Sequence, residues 1–218
     1  MLIDRQNQPL NPITRFFLRF VNRLIAMRRS QFEVLPVPPR RLVFLGDSIT
    51  EGGQWDEWFP ELPTLNRGIN GDNVQGVATR LDTAINDPLA ISLLIGTNDL
   101  GGGKRKPEHI AASIQALARD IRKRAPEAIF LINSVMPRSR KYSRDVRALN
   151  VRLREIADME GAVFVDLWPA LADADGALRK EFTADALHLN GAGYAAWVEV
   201  LRKELSVLSL SNAPGPQE

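Results

Sequence analysis

The chain has 218 residues, 44% hydrophobic and 25% charged, which is the composition of a globular protein with enough length for one sizeable core. It has no cysteine, so disulfides, thiolate nucleophiles and cysteine-based zinc sites are excluded, and the absence fits a reducing compartment. The net charge of +2 is uneven: residues 1–40 carry seven arginines (Arg5, Arg15, Arg19, Arg23, Arg28, Arg29 and Arg40) against Asp4 and Glu33, a surplus of +5 that leaves −3 for the remainder. The basic charge belongs to an N-terminal arm, and a nucleic-acid-binding role for the whole chain is unsupported.

The first predicted element is that arm, Ile13 to Arg29, within a segment spanning residues 1–34. Arg15, Arg19 and Arg23 recur every fourth residue and stack on one helical face, while Phe16, Phe17, Phe20, Leu24 and Met27 cover much of the rest. This is a basic amphipathic helix, a pattern suited to a membrane surface or a partner protein through residues 13–29. The alternative is a helix packed on the domain's own surface. The arginines interrupt the apolar run well short of the ~20 residues that a spanning helix needs. No signal-peptide pattern is evident, so a cytoplasmic location is expected, with membrane association through the arm.

Leu35-Pro36-Val37-Pro38-Pro39 reads as a stiff connector over 35–40. From residue 41 to 208 strands and helices alternate. Strands are predicted at 41–46, 63–67, 90–96, 128–134 and 162–166. Helices are predicted at 73–86, 107–124, 144–159 and 190–208; the second opens favourably on Pro107-Glu108. Apolar strands without polar alternation imply a parallel sheet covered on both faces. The end, 209–218, is polar with two prolines and is expected to fray.

Four loops that follow predicted strands carry the chemistry. In Gly46-Asp47-Ser48 a serine stands at the end of an apolar strand, where open α/β sheets place ligands. A hydroxyl becomes a nucleophile when a base takes its proton; the competing reading is a helix N-cap. In Asn66-Arg67-Gly68-Ile69-Asn70-Gly71-Asp72-Asn73, Gly71 can present its N–H to an oxyanion, or the segment is an ordinary turn capped by Asp72 or Asn70. In Gly96-Thr97-Asn98-Asp99 the Asn98 amide can donate to the same oxyanion, or close an Asx-turn. The glycines 101–103 that follow suggest a mobile loop. In Asp185-Ala186-Leu187-His188 an imidazole can accept the serine proton while the carboxylate fixes its tautomer. His109, at a predicted helix start, is the bland counterpart.

Taken together the four blocks resemble the SGNH hydrolase superfamily, the GDSL esterases and lipases. Its four named residues match Ser48, Gly71, Asn98 and His188 in the family's order, with Asp185 three residues before the histidine. Within it the chain is most similar to the catalytic subunits of intracellular platelet-activating-factor acetylhydrolase and their bacterial relatives, through residues 65–72, Val135-Met136-Pro137-Arg138 and 187–194. Asp99 departs from that subgroup, whose mammalian members carry a second asparagine there. The resemblance implies a flavodoxin-like three-layer α/β/α sandwich with a five-stranded parallel sheet, to which the arm adds an amphipathic helix.

It also implies a serine esterase for small or short-chain acyl esters: acetyl esters, sugar esters or lysophospholipids. Ser48 would attack, His188 would act as base, Asp185 would support it, and Ser48, Gly71 and Asn98 would form the oxyanion hole. Asp47, Met136 and Pro137 are assigned to the substrate pocket, and Trp55, Trp58 and Phe59 to an apolar wall or to the core. No metal or organic cofactor is implied. A homodimer is an option for covering the arm. The contrasting function is a non-catalytic membrane- or protein-binding module on a hydrolase fold.

Overall fold

In a computed structural model, residues 11–101 and 105–211 are described. The chain divides into two units between Pro36 and Val37, within the proline-rich stretch. The first unit contains helix α1, Pro12–Val34, longer at both ends than its predicted core of 13–29.

In the second unit the five predicted segments become strands β1 (Leu42–Gly46), β2 (Thr64–Gly68), β3 (Ala90–Leu94), β4 (Ile129–Asn133) and β5 (Val163–Val165). All pair in parallel, in the order β2-β1-β3-β4-β5, which is the flavodoxin-like order. The helices are α2 (Ser48–Glu51), α3 (Trp55–Trp58), α4 (Val74–Ala78), α5 (Thr97–Gly101), α6 (Pro107–Arg124), α7 (Ser143–Met159), α8 (Trp168–Leu171) and α9 (Gly191–Ser211). Short 3-10 turns lie at Leu81–Thr83, Arg140–Tyr142 and Lys180–Phe182.

Successive strand residues point to opposite faces, and the core splits accordingly. Val43, Leu45, Ile91, Leu93, Phe130 and Ile132 join the apolar faces of α4, α6 and α7 in one layer. Leu42, Phe44, Leu94, Leu131 and Val165 join Trp55, Phe59 and the inner face of α9 in the other. The second layer is aromatic. Phe44 and Trp55 stack with centroids 3.8 Å apart, and Trp197 meets Trp55 edge-on at 4.8 Å. Three polar groups enter this layer fully paired. Asn133 Nδ2 donates to Ser92 Oγ (2.8 Å) and Leu93 O (3.0 Å), and Trp197 Nε1 donates to Asn133 Oδ1 (3.1 Å). Paired polar groups hold α9 in one place on the sheet without the cost of an unmet donor.

The helix expected over 73–86 is broken. It ends at Ala78, because Arg80 leaves helical geometry (φ −130°) as its side chain turns inward. The Thr79 and Thr83 hydroxyls back-bond to Gly76 O and Arg80 O, which weakens a continuous ladder. Strand β3 stops at Leu94, two residues before the prediction, and Gly96 (φ +121°) swings the chain into α5. Helix α9 runs through Ser211, so the predicted tail begins inside it; residues 212–218 lie outside the described residues. Gly102 and Gly103 of the expected mobile loop also lie outside them. No helix among the described residues is long and apolar enough to cross a membrane.

Candidate active site

Each predicted site residue follows a strand of the parallel sheet or closes the loop before α9. β1 lies at the switch point, with β2 on one side and β3 on the other, and a crevice opens at such a point beyond the carboxyl ends of the strands. Ser48 is the first residue of α2. It is not the cap: Asp47 is, its Oδ1 accepting Ile49 N–H at 3.0 Å. Two glycines let α2 sit against the strand ends. A Cβ on Gly46 would fall 2.3 Å from Thr50 Oγ1, and one on Gly68 would fall 2.1 Å from Glu51 N.

Ser48 Oγ lies 3.0 Å from His188 Nε2, across 140 residues of chain, and His188 Nδ1 lies 2.6 Å from Asp185 Oδ2. The other carboxylate oxygen, Asp185 Oδ1, accepts the backbone N–H groups of Leu187 (3.0 Å) and His188 (2.8 Å). Ala186 adopts φ +59° to let the turn close on that oxygen, a left-handed conformation costing about 1–2 kcal/mol for a residue with a Cβ. Burial alone would push the Asp185 carboxyl up. The bonds from the His188 ring and from the His188 and Leu187 amides, with the His188 charge, outweigh it and bring the carboxyl down to about 2. Asp185 is therefore ionised across the neutral range, and it holds the imidazole with the opposite nitrogen toward Ser48. The His188 and Asp185 side chains are 46% and 53% exposed, so the relay opens to solvent.

The donors expected at the oxyanion sit on the two loops flanking β1. Gly71 has φ +75°, a conformation that favours glycine. Asn98, in α5, donates through Nδ2 to Asp72 O at 2.8 Å. That bond spans 26 residues and is no Asx-turn; it fixes the amide against the Gly71-Asp72 loop and leaves its second hydrogen with no acceptor among the described residues. The turn entering α4 is capped by Asn73, whose Oδ1 accepts Gly76 N–H at 2.8 Å, rather than by Asp72 or Asn70. Asp72 is instead buried and paired with Arg80 Nε at 2.7 Å. Arg80 Nη2 also donates to Gly46 O at 3.1 Å, joining the second loop to the end of β1. Asp99 closes the set: Oδ2 accepts Val74 N–H (3.1 Å) and Oδ1 accepts Arg105 (2.9 Å). Burial raises the Asp99 carboxyl, against the Val74 and Arg105 contacts.

Sequence reasoning missed Arg80, Asn66 and Tyr194 as supports. Asn66 Nδ2 donates to Glu51 O and Gly53 O, both at 3.0 Å, and its Oδ1 accepts Gly68 N–H. Tyr194 OH donates to Ile49 O at 2.7 Å. Burial, with the Asp47 charge, pushes its phenol up to about 12. Asn66 and Tyr194 lie in the stretches 65–72 and 187–194 that carry the resemblance, but no local pattern marked their bonds to the loop after β1, and Arg80 had no signal of its own.

The residues assigned to the substrate pocket have little solvent exposure. Asp47, Met136 and Pro137 are all buried, and Met136 packs in the second core layer. Trp55 and Phe59 are core residues too, with Trp58 packed against them, so the aromatic wall is core packing. Asp47 is the unusual member. Its Oδ2 is buried with no hydrogen-bond partner among the described residues. Burial pushes its carboxyl up to about 7, against the Ile49 amide and His188. Among the described residues no three metal-ligating side chains gather into a cluster.

A strand-end serine bonded to a histidine that is backed by a carboxylate, on a parallel sheet in flavodoxin-like order, defines a hydrolase-type site. Residues 44–196 match the model of the GDSL-like Lipase/Acylhydrolase family, and the chain belongs to that family and is an ester hydrolase. It is 31% identical over 166 residues to platelet-activating factor acetylhydrolase IB subunit alpha1 of Pongo abelii, covering 71% of this chain and 70% of that one. A solved structure from Streptococcus pneumonia named for platelet activating factor superposes with TM-score 0.76 at 27% identity, over 88% of this chain and 96% of the other. A GDSL-like lipase from Bacteroides thetaiotaomicron shares the fold, with TM-score 0.72 at 21% identity, over 87% and 99% of the two chains.

Proposed function

We propose that the protein is a serine esterase for small or short-chain acyl esters, working through an acyl-Ser48 intermediate. The observation that carries this reading is the continuous relay from Ser48 Oγ to His188 Nε2 (3.0 Å) and from His188 Nδ1 to Asp185 (2.6 Å). His188 takes the hydroxyl proton as Ser48 Oγ bonds to the ester carbonyl carbon, and the carbonyl oxygen becomes an oxyanion. The N–H groups of Ser48 and Gly71 and the free hydrogen of the Asn98 amide receive that charge. The carbonyl re-forms as the C–O bond to the alcohol breaks, and His188 returns the proton to the leaving alkoxide. Water then adds to the acyl-serine with His188 again as base, which releases the acid and restores Ser48.

The choice of small acyl groups rests on kinship with the acetylhydrolase subunits. Acetyl esters of lipids, acetylated sugars and lysophospholipids are the substrate classes to compare. The test is hydrolysis of p-nitrophenyl acetate, butyrate and octanoate by the wild type and Ser48→Ala. Loss of turnover in the variant with preference for acetate is expected. Equal rates in the two proteins would overturn the mechanism, and preference for octanoate would overturn the acyl-size assignment.

A further inference from the structure

Helix α1 has no part in the relay, yet it presents an organised surface. Ile13, Phe16, Phe20, Leu24 and Met27 are 82%, 73%, 51%, 48% and 60% exposed. At 3.6 residues per turn they fall within an arc of about 80° and run about 21 Å along the helix. Arg19 and Arg23, both exposed, border the stripe on one side, and Arg28 lies beyond its other edge. The helix carries five arginines, and its single acid, Glu33, projects from the far side. Soluble helices rarely leave five large apolar side chains in one uncovered line.

We propose that α1 is an in-plane anchor for an anionic phospholipid surface. The apolar stripe would enter the boundary between headgroups and acyl chains while Arg19 and Arg23 meet the phosphates alongside it, which is the division of labour of interfacial helices. The charge pattern selects this occupant over a second copy of the chain. Paired helices set opposite charges beside their apolar seam, whereas two copies of α1 would bring arginine against arginine. The inference stands on α1 alone and does not depend on the esterase reading.

The test uses the full chain in cosedimentation with vesicles of phosphatidylcholine alone and of phosphatidylcholine with phosphatidylglycerol in equal parts. Binding to the mixed vesicles is expected to exceed binding to the neutral ones by on the order of tenfold or more at low salt, and to weaken as salt rises. Phe16→Glu/Phe20→Glu should lose at least about tenfold in binding to the mixed vesicles. Arg19→Gln/Arg23→Gln should lose most of the preference for them. All of these positions are exposed, and circular dichroism with thermal melting verifies that each variant is folded. Equal or absent binding to both vesicle types would overturn the proposal, as would unchanged binding by the phenylalanine variant. A dimer in sedimentation equilibrium that Phe16→Glu/Phe20→Glu dissociates, without vesicle binding by the wild type, would assign the stripe to a second copy instead.

Discussion

Asp47→Asn should stabilise the protein increasingly as pH rises. Asp47 is fully buried, with Oδ1 on the Ile49 amide and Oδ2 unpaired. Burial is the main cause that lifts its carboxyl from 3.8 to about 7, with Asp72 and Asp99 adding to it. The folded state therefore holds this proton more tightly than the unfolded state. Its contribution to stability is complete below the unfolded value and is lost as pH rises toward the folded one. Integrating between 3.8 and 7, at about 1.4 kcal/mol per unit, gives a total near 4 kcal/mol. More than half of it, about 2–3 kcal/mol, falls between about pH 5 and about pH 8. Asparagine keeps the Oδ1 acceptor and cannot ionise, and the other titrating groups are common to both proteins. The assay is urea unfolding of the two proteins at both pH values. The stability of Asp47→Asn relative to wild type should rise by about 2–3 kcal/mol across that interval. A gap that stays constant, or that narrows, would refute the reasoning and mean that Asp47 is ionised inside the folded protein.

Arg80→Met removes the guanidinium 2.7 Å from the buried Asp72 carboxylate and should cost about 3–5 kcal/mol in urea unfolding. Asp72→Asn in the same chain should recover part of that loss, and strict additivity of the two changes would contradict the pairing. Gly68→Ala forces a methyl into the backbone of Glu51. It should lower stability by about 1–3 kcal/mol and reduce kcat by displacing α2; an unchanged melting temperature would show that α2 has room to move. Asn98→Ala removes one oxyanion donor and should lower kcat by on the order of 10²- to 10³-fold with little change in KM. A rise in KM alone would place Asn98 in ground-state binding.

The sheet was legible because its three central strands, β1, β3 and β4, are buried on both faces and so read as largely apolar runs; Leu42 to Leu45 and Ile91 to Leu94 carry their own boundaries to within a residue or two. The strand-end positions of Ser48 and Asn98 followed directly from those boundaries. Helices α2, α3, α5 and α8 were not legible: at four or five residues each they are below the length that supports a helix on its own and exist through tertiary contacts. The misread stretch after Asn73 had helical periodicity, but Arg80 is drawn inward to Asp72 and to Gly46 O, 34 residues away. No local pattern reports a bond of that span. The same holds for Met136 and Trp55, whose places in the aromatic layer depend on Phe44 and α9. Asp47 reads in sequence as part of a motif; its unpaired, buried oxygen is visible only once α2 is packed on the strand ends.

The most direct test of the account is covalent labelling with diethyl p-nitrophenyl phosphate, followed by mass spectrometry of the intact protein and its peptides. One diethylphosphoryl adduct per chain is expected, on the peptide containing Ser48, absent in Ser48→Ala and much slower in His188→Ala, with ester hydrolysis lost in step with labelling. An adduct on another residue, or full hydrolysis persisting in Ser48→Ala, would contradict it.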